Sequence, residues 1–203
     1  MPPELLLAFT IAVITFAFTP GPSIFYVLAR TLAEGRNAGL AAALGCHAGG
    51  YVHTIAAATG LTLLLENAPT LFTALKLCGA AYIIYLGFKM IFQPGHQVHP
   101  TTGRTSFFQS ALLEIVNPTT ALFFLAFLPQ FVVPDAQLGV MTQMLILGVI
   151  VNLTFSAADL FYIFTAHRMQ RAFKASPAAT RAGRRLGGGV LIGLGISLGS
   201  AKT

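Results

Sequence analysis

Charge is what this sequence has least of. Only 9% of its 203 residues are Asp, Glu, Lys or Arg, against about 25% in an ordinary soluble domain, so a solvated globular surface is excluded. Tryptophan is absent, and the two cysteines, Cys46 and Cys78, lie apart in apolar runs and form no CxxC. They read as small apolar residues rather than as redox centres or metal ligands. No serine or cysteine nucleophile stands beside a base, no metal motif occurs, and "GLGISLG" follows no strand and opens no helix as a phosphate loop would. An enzyme is therefore not expected, and neither is a cofactor.

What fills the chain instead is hydrocarbon. Hydrophobic residues make up 55%, with 17 Phe and a mean hydropathy of +0.75, spread along the whole length. A helix needs about 20 apolar residues to cross about 30 Å of lipid, and suitable stretches occur near 5–29, 38–65, 69–92, 106–133, 138–166 and 184–201. The expected class is an all-α integral membrane protein with six transmembrane helices. The first stretch lacks the basic start and small-residue cleavage site of a signal peptide, since Met1 to Leu7 carries only Glu4, and it is expected to be retained.

With six spans, Arg30, Arg36, Lys89, Arg104, Arg168, Arg171, Lys174, Arg181, Arg184 and Arg185 fall on one side and only Lys76 and Lys202 on the other. The positive side is the cytoplasm, which places both termini outside. The net charge of +6 raises the question of nucleic acid. Its densest cluster, Arg168 to Arg185, contains one aromatic, Phe173, and lies between two apolar spans, so it reads as a topology signal touching anionic lipid rather than a nucleic-acid surface.

Two stretches repeat. "TPGPSIFYVLA" (19–29) aligns with "NPTTALFFLAF" (117–127), setting Pro20 over Pro118 and Phe25 over Phe123, and "KLCGAAYIIYLG" resembles "RLGGGVLIGLG". Three helices per half is an odd number, so the second half enters the membrane from the opposite side. The expected organisation is one transmembrane domain over 1–203: repeat 1 at about 1–93, a cytoplasmic loop at about 94–105 and repeat 2 at about 106–203, as two inverted three-helix repeats.

Both halves carry proline inside an apolar run. Pro20 and Pro22 lack N–H groups and Gly21 loosens the backbone between them, so helix 1 is expected to break there, and helix 4 to break at Asn117 and Pro118. Unwound backbone at membrane depth survives only when buried in protein or lining a cavity, and matched breaks in two halves point to a transport site. At about 1.5 Å per residue, the Pro20–Pro22 turn, Glu114, His47 and Asp159 all lie roughly 12–15 Å from the cytoplasmic surface. A carboxylate at that depth costs about 3 kcal/mol or more unless paired. Glu114 and Asp159 therefore need His47, the hydroxyls of Thr119 and Thr120, or the N–H groups after Pro118. Either acid could bind the ammonium of a substrate or carry a coupling proton.

His47 and His53, six apart, fall on different helix faces, against joint metal ligation. His96 and His99 read as solvated loop. Asn152 reads as a tie between helices, and Gly45 with Gly49, Gly189 with Gly193 and Gly195 with Gly199 as close packing.

The blocks "FTPGPSIFYVLARTLAEGRNAGLAAALG", "LKLCGAAYIIYLGFKMI", "NPTTALFFLAFLPQF" and "RRLGGGVLIGLG", in that order, resemble the LysE-type translocators, and within them the RhtB branch of homoserine and threonine exporters. The resemblance spans nearly the whole chain. It implies efflux of amino acids across a bacterial inner membrane driven by the proton gradient, and it carries over to Pro20, Gly21, Pro22, Asn117 and Pro118. The family commonly reads PGPN and NxxNPKA in these blocks. Here Ser23 follows PGP, Glu114 replaces the first Asn, and Thr119 and Thr120 replace Lys-Ala, a shift of about two units toward negative that favours a more cationic substrate or a stronger proton site.

The expected function is a secondary active, proton-coupled exporter of amino acids or small derivatives, working by alternating access with its site between helices 1 and 4. The candidate residues are Pro20, Gly21, Pro22, Ser23, His47, Glu114, Asn117, Pro118, Thr119 and Asp159, and a homodimer through Gly-rich faces is an open arrangement. The alternative is a divalent metal-ion exporter using Glu114, Asp159 and His47. A membrane thiol-redox carrier would need cysteines beside the prolines, where Ser23 and Thr119 stand instead.

Overall fold

A computed structural model describes residues 1–19, 21–92, 107–175 and 177–200. Pro20 and the 94–105 loop with His96 and His99 lie outside the described residues. The described chain is helical throughout, with no strand. Its elements are α1 (Pro3–Ala17), α2 (Pro22–Glu34), α3 (Arg36–Asn67), α4 (Pro69–Phe92), α5 (Phe107–Ile115), α6 (Pro118–Phe127) running into a 3-10 turn (Leu128–Phe131), α7 (Val140–Ala175) and α8 (Pro177–Ser200).

The first apolar stretch thus holds two helices, and so does the fourth. α1 ends at Ala17, Gly21 stands extended before α2, and Pro22 occupies one of α2's first two positions. Proline suits a helix start because the N–H it lacks would have no intrahelical partner there. In the second case Asn117 caps α6 by accepting from the Thr119 N–H at 3.0 Å, and Pro118 begins the helix. The segments Phe107–Ile115 and Thr119–Phe131 meet at 59°. Val140–Ala166 is long and apolar enough by itself to cross a membrane, and that bent pair qualifies when taken together.

The fifth and sixth stretches differ from expectation in their ends. α7 continues to Ala175 and α8 starts at Pro177, so the basic segment is mostly helix rather than loop. Its Ala, Arg, Lys, Met and Gln are strong helix formers, and no breaker occurs until Pro177, which disfavours helical backbone in the residue before it.

α3 lies against α2, α5 and α7, and α4 against α6 and α8. Glycine permits the closest approaches. A methyl group at Gly49 would fall 2.6 Å from Glu114 Cβ, and one at Gly195 2.8 Å from the Ala80 carbonyl. Gly189 and Gly193 do not take part, because open space surrounds both; on this helix the packing face is carried by Gly188 and Gly195 instead.

The main core gathers Phe9, Phe123, Phe124, Phe127 and Phe131 with Met144, Val151 and Leu191. Phe16 meets Phe123 edge-on at 4.7 Å, and Phe9 meets Phe131 at 5.2 Å, so α1 and α6 are closed on one another by aromatic rings. Large apolar side chains also face outward all round, among them Phe108 at 80% and Leu186 at 74% exposure. Soluble monomers rarely present so much apolar surface.

Candidate functional site

The two helix interruptions meet at Glu114. This residue sits in the last turn of α5, buried, with room made for it by Gly49 of α3. Its Oε2 accepts from the Ser23 hydroxyl at 2.6 Å and its Oε1 from the Thr120 hydroxyl at 2.5 Å. Ser23 lies in the first turn of α2 and Thr120 in the first turn of α6. A single carboxyl group thus ties the starts of α2 and α6, at helix ends that favour negative charge.

Each interruption also orphans a carbonyl, and each orphan has a partner. Phe18 O would receive an N–H from the residue four ahead, which is Pro22; instead the Tyr162 hydroxyl of α7 donates to it at 2.8 Å. Glu114 O would look to Pro118; instead it accepts from His53 Nε2 of α3 at 2.9 Å and from the Asn117 N–H at 3.0 Å. Because a carbonyl only accepts, His53 Nε2 carries a proton. Buried backbone groups without partners are rare for energetic reasons, and α3 and α7 supply the missing donors.

A second polar centre stands nearby on α3 and α7. His47 Nε2 lies 3.1 Å from Asp159 Oδ2, with side-chain exposures of 14% and 7%. Further along the same helix pair, the buried Asn152 donates to Thr54 Oγ1 and to Gly148 O, each at 2.9 Å, tying α7 to α3. Toward the other end of α2, Tyr26 shares a hydrogen bond with Ser110 at 3.2 Å. Arg30, also buried, lies over the Tyr26 ring and pairs with Glu34.

Of the residues expected from sequence, the structure brings Ser23 and Glu114 into direct contact and sets His47 on Asp159. Gly21 and Asn117 act through the backbone, as the residues preceding α2 and α6. Pro22 and Pro118 open those helices, and Pro20 lies outside the described residues. Of the two hydroxyls proposed for Glu114, Thr120 makes the bond; Thr119 enters through its N–H, held by Asn117. Sequence reasoning underrated His53 and did not single out Tyr26, Ser110 or Tyr162. A signal for His53 and Tyr162 existed, since a proline at position i always frees the carbonyl at i−4.

The model of the LysE type translocator family matches residues 14–202. The chain belongs to the LysE-type translocator family. Relatives of this translocator include an uncharacterized membrane protein of Pseudomonas aeruginosa, 31% identical with 95% of this chain and 94% of the relative covered. The membrane protein YrhP of Bacillus subtilis is 29% identical over 96% and 98%. A leucine efflux protein of an Enterobacter species is 28% identical over 89% and 88%. No solved structure matches. The translocator is accordingly a membrane protein, and its outward apolar side chains are those of a lipid-facing surface.

Proposed function

We propose that this translocator exports amino acids or small amino-acid derivatives across a bacterial inner membrane, coupled to protons, with the substrate bound between the two helix interruptions. The observation that carries the reading is the Glu114 carboxylate, held by Ser23 on one side and Thr120 on the other. An ammonium group is the natural counter-ion for a buried carboxylate. Family membership and the leucine efflux proteins among the relatives support an amino compound as cargo. Glu114, where the family commonly has Asn, favours its more cationic forms; the RhtB branch is compatible.

Pairing α1 and α2 as one broken span, and α5 and α6 as another, makes six spans in two inverted halves. Packing of α3 along α7 and of α4 along α8, the helices that such a repeat makes equivalent, supports that arrangement. Alternating access then rocks one half against the other, and a buried acid, Glu114 or Asp159, trades a proton as access switches. Both termini lie outside. The chain is a transporter rather than a catalyst.

The metal-ion alternative receives less support: among the described residues no three His, Cys, Asp or Glu side chains converge, and Glu114 and Asp159 have separate partners. The deciding experiment is substrate-dependent proton release from inside-out vesicles, with a panel of amino acids and divalent metals, for wild type and Glu114→Gln. Proton release with one class of amino acid, lost in the variant, is expected. A response to metals alone would replace this reading with the alternative.

A further inference from the structure

The export reading gives Glu114 to the substrate's ammonium, and the buried His47–Asp159 pair, 3.1 Å apart, is a separate acid with a base in contact. We infer that this pair, and not Glu114, carries the coupling proton, and that proton and substrate displace one another through their charges across α3. The inference rests on the export reading above and names the coupling site that reading leaves open.

Its basis is the bookkeeping of charge around one helix. With Nδ1 and Nε2 of His47 both protonated the pair is an imidazolium beside a carboxylate and is neutral overall; with Nδ1 alone protonated the pair carries one negative charge. Glu114, on α5 at the opposite flank of α3, carries another. His47 and Gly49, two residues apart on α3, meet Asp159 and Glu114 respectively, so the two acids flank one helix, which is on the order of 10 Å across. Two unit charges about 10 Å apart at an effective dielectric of about 20 interact strongly enough to move an equilibrium by about tenfold. An ammonium on Glu114 therefore weakens the hold of the pair on its proton, and departure of that ammonium strengthens it. Release of a cationic group and uptake of a proton, both at the outer face, then follow as a single exchange.

The remaining titratable groups do not substitute for the pair. Tyr162 on α7, three residues after Asp159, spends its hydroxyl on Phe18 O. His53 on α3 is held by Glu114 O. On α2, which packs against both helices, Tyr26 is shared with Ser110, and Arg30 is occupied by Tyr26 and Glu34. α6 has no titratable residue and α1 only Glu4, at its far end. The proton step makes one N–H bond at His47 Nε2 when the pair faces outside and breaks it to cytoplasmic water when it faces inside. Nothing else is bonded or oxidised.

The test uses the full chain in liposomes with radiolabelled leucine, comparing counterflow at equal pH with accumulation driven by a pH gradient. In His47→Gln and Asp159→Asn, gradient-driven accumulation should fall at least tenfold more than counterflow, and counterflow should lose the pH dependence seen in wild type. Glu114→Gln should lose both activities together. The exchanged double variant, His47→Asp with Asp159→His, rebuilds the pair and should recover gradient-driven accumulation, which mere structural damage would not allow. Retained coupling in the single variants, equal loss of both activities, or no recovery in a folded double variant would overturn the inference. Absence of wild-type counterflow with leucine, threonine, lysine and leucinamide would instead overturn the export reading, and this inference with it.

Discussion

The prolines at the two interruptions act at a distance of four residues. Each removes the donor for one carbonyl, Phe18 O or Glu114 O, and a side chain from a different helix fills the gap. Losing such a donor strands a buried acceptor, which costs about 1–3 kcal/mol. Tyr162→Phe should therefore lower stability in detergent by that amount, with a smaller loss for His53→Phe because the Asn117 N–H still reaches Glu114 O. Thermal unfolding of the purified variants measures both, and an unchanged midpoint for Tyr162→Phe would contradict the assignment. The places where α1 gives way to α2 and α5 to α6 follow residue order alone, since proline chemistry is a local property. The choice of Ser23 and Thr120 for Glu114, and of His47 for Asp159, does not. It depends on which faces α2, α3, α5 and α7 turn to one another, and apolar runs buried on several sides leave no periodic stripe to read that from.

At the scale of the helix, the same limit explains the glycines. "GGG" at 187–189 marks α8 as a close-packing helix, yet adjacent positions point about 100° apart, and only tertiary structure selects the one that matters. A methyl at Gly188 would fall 2.6 Å from the Gly87 carbonyl oxygen, whereas Gly189 faces open space. Gly188→Ala should separate α4 from α8 and depress folded yield. Gly189→Ala should be neutral or raise stability by up to about 1 kcal/mol, as alanine does in an unconstrained helix. Fluorescence-detected size exclusion of the two variants checks the contrast, and equal behaviour would refute the packing described. Helix ends were also only partly legible: the basic segment read as a loop because charge implies solvent, while its residue types favour helix up to Pro177.

For the whole molecule, the distribution of Lys and Arg implies a definite sidedness. With Cys46 and Cys78 replaced by alanine, Asp135→Cys, in the exposed turn before α7, should be labelled by an impermeant maleimide in intact cells. Lys89→Cys, near the end of α4, should be labelled only after permeabilisation. The reverse pattern would invert the topology and with it the direction assigned to the two faces of the site. The sequence carries this expectation because insertion itself reads flanking charge. It carries no sign of how the helices rest on each other, α1 closed on α6 by phenylalanine rings and α2 joined to α5 by Tyr26 and Ser110, since that follows from shape.

The missing N–H groups of Pro22 and Pro118 have one more consequence. Neither α1 with α2 nor α5 with α6 can ever zip into an unbroken helix, whatever the lipid thickness, temperature or load, because the atoms needed to close the ladder are not in the chain. The two joints are written into the covalent structure and depend on no contact made elsewhere in the fold.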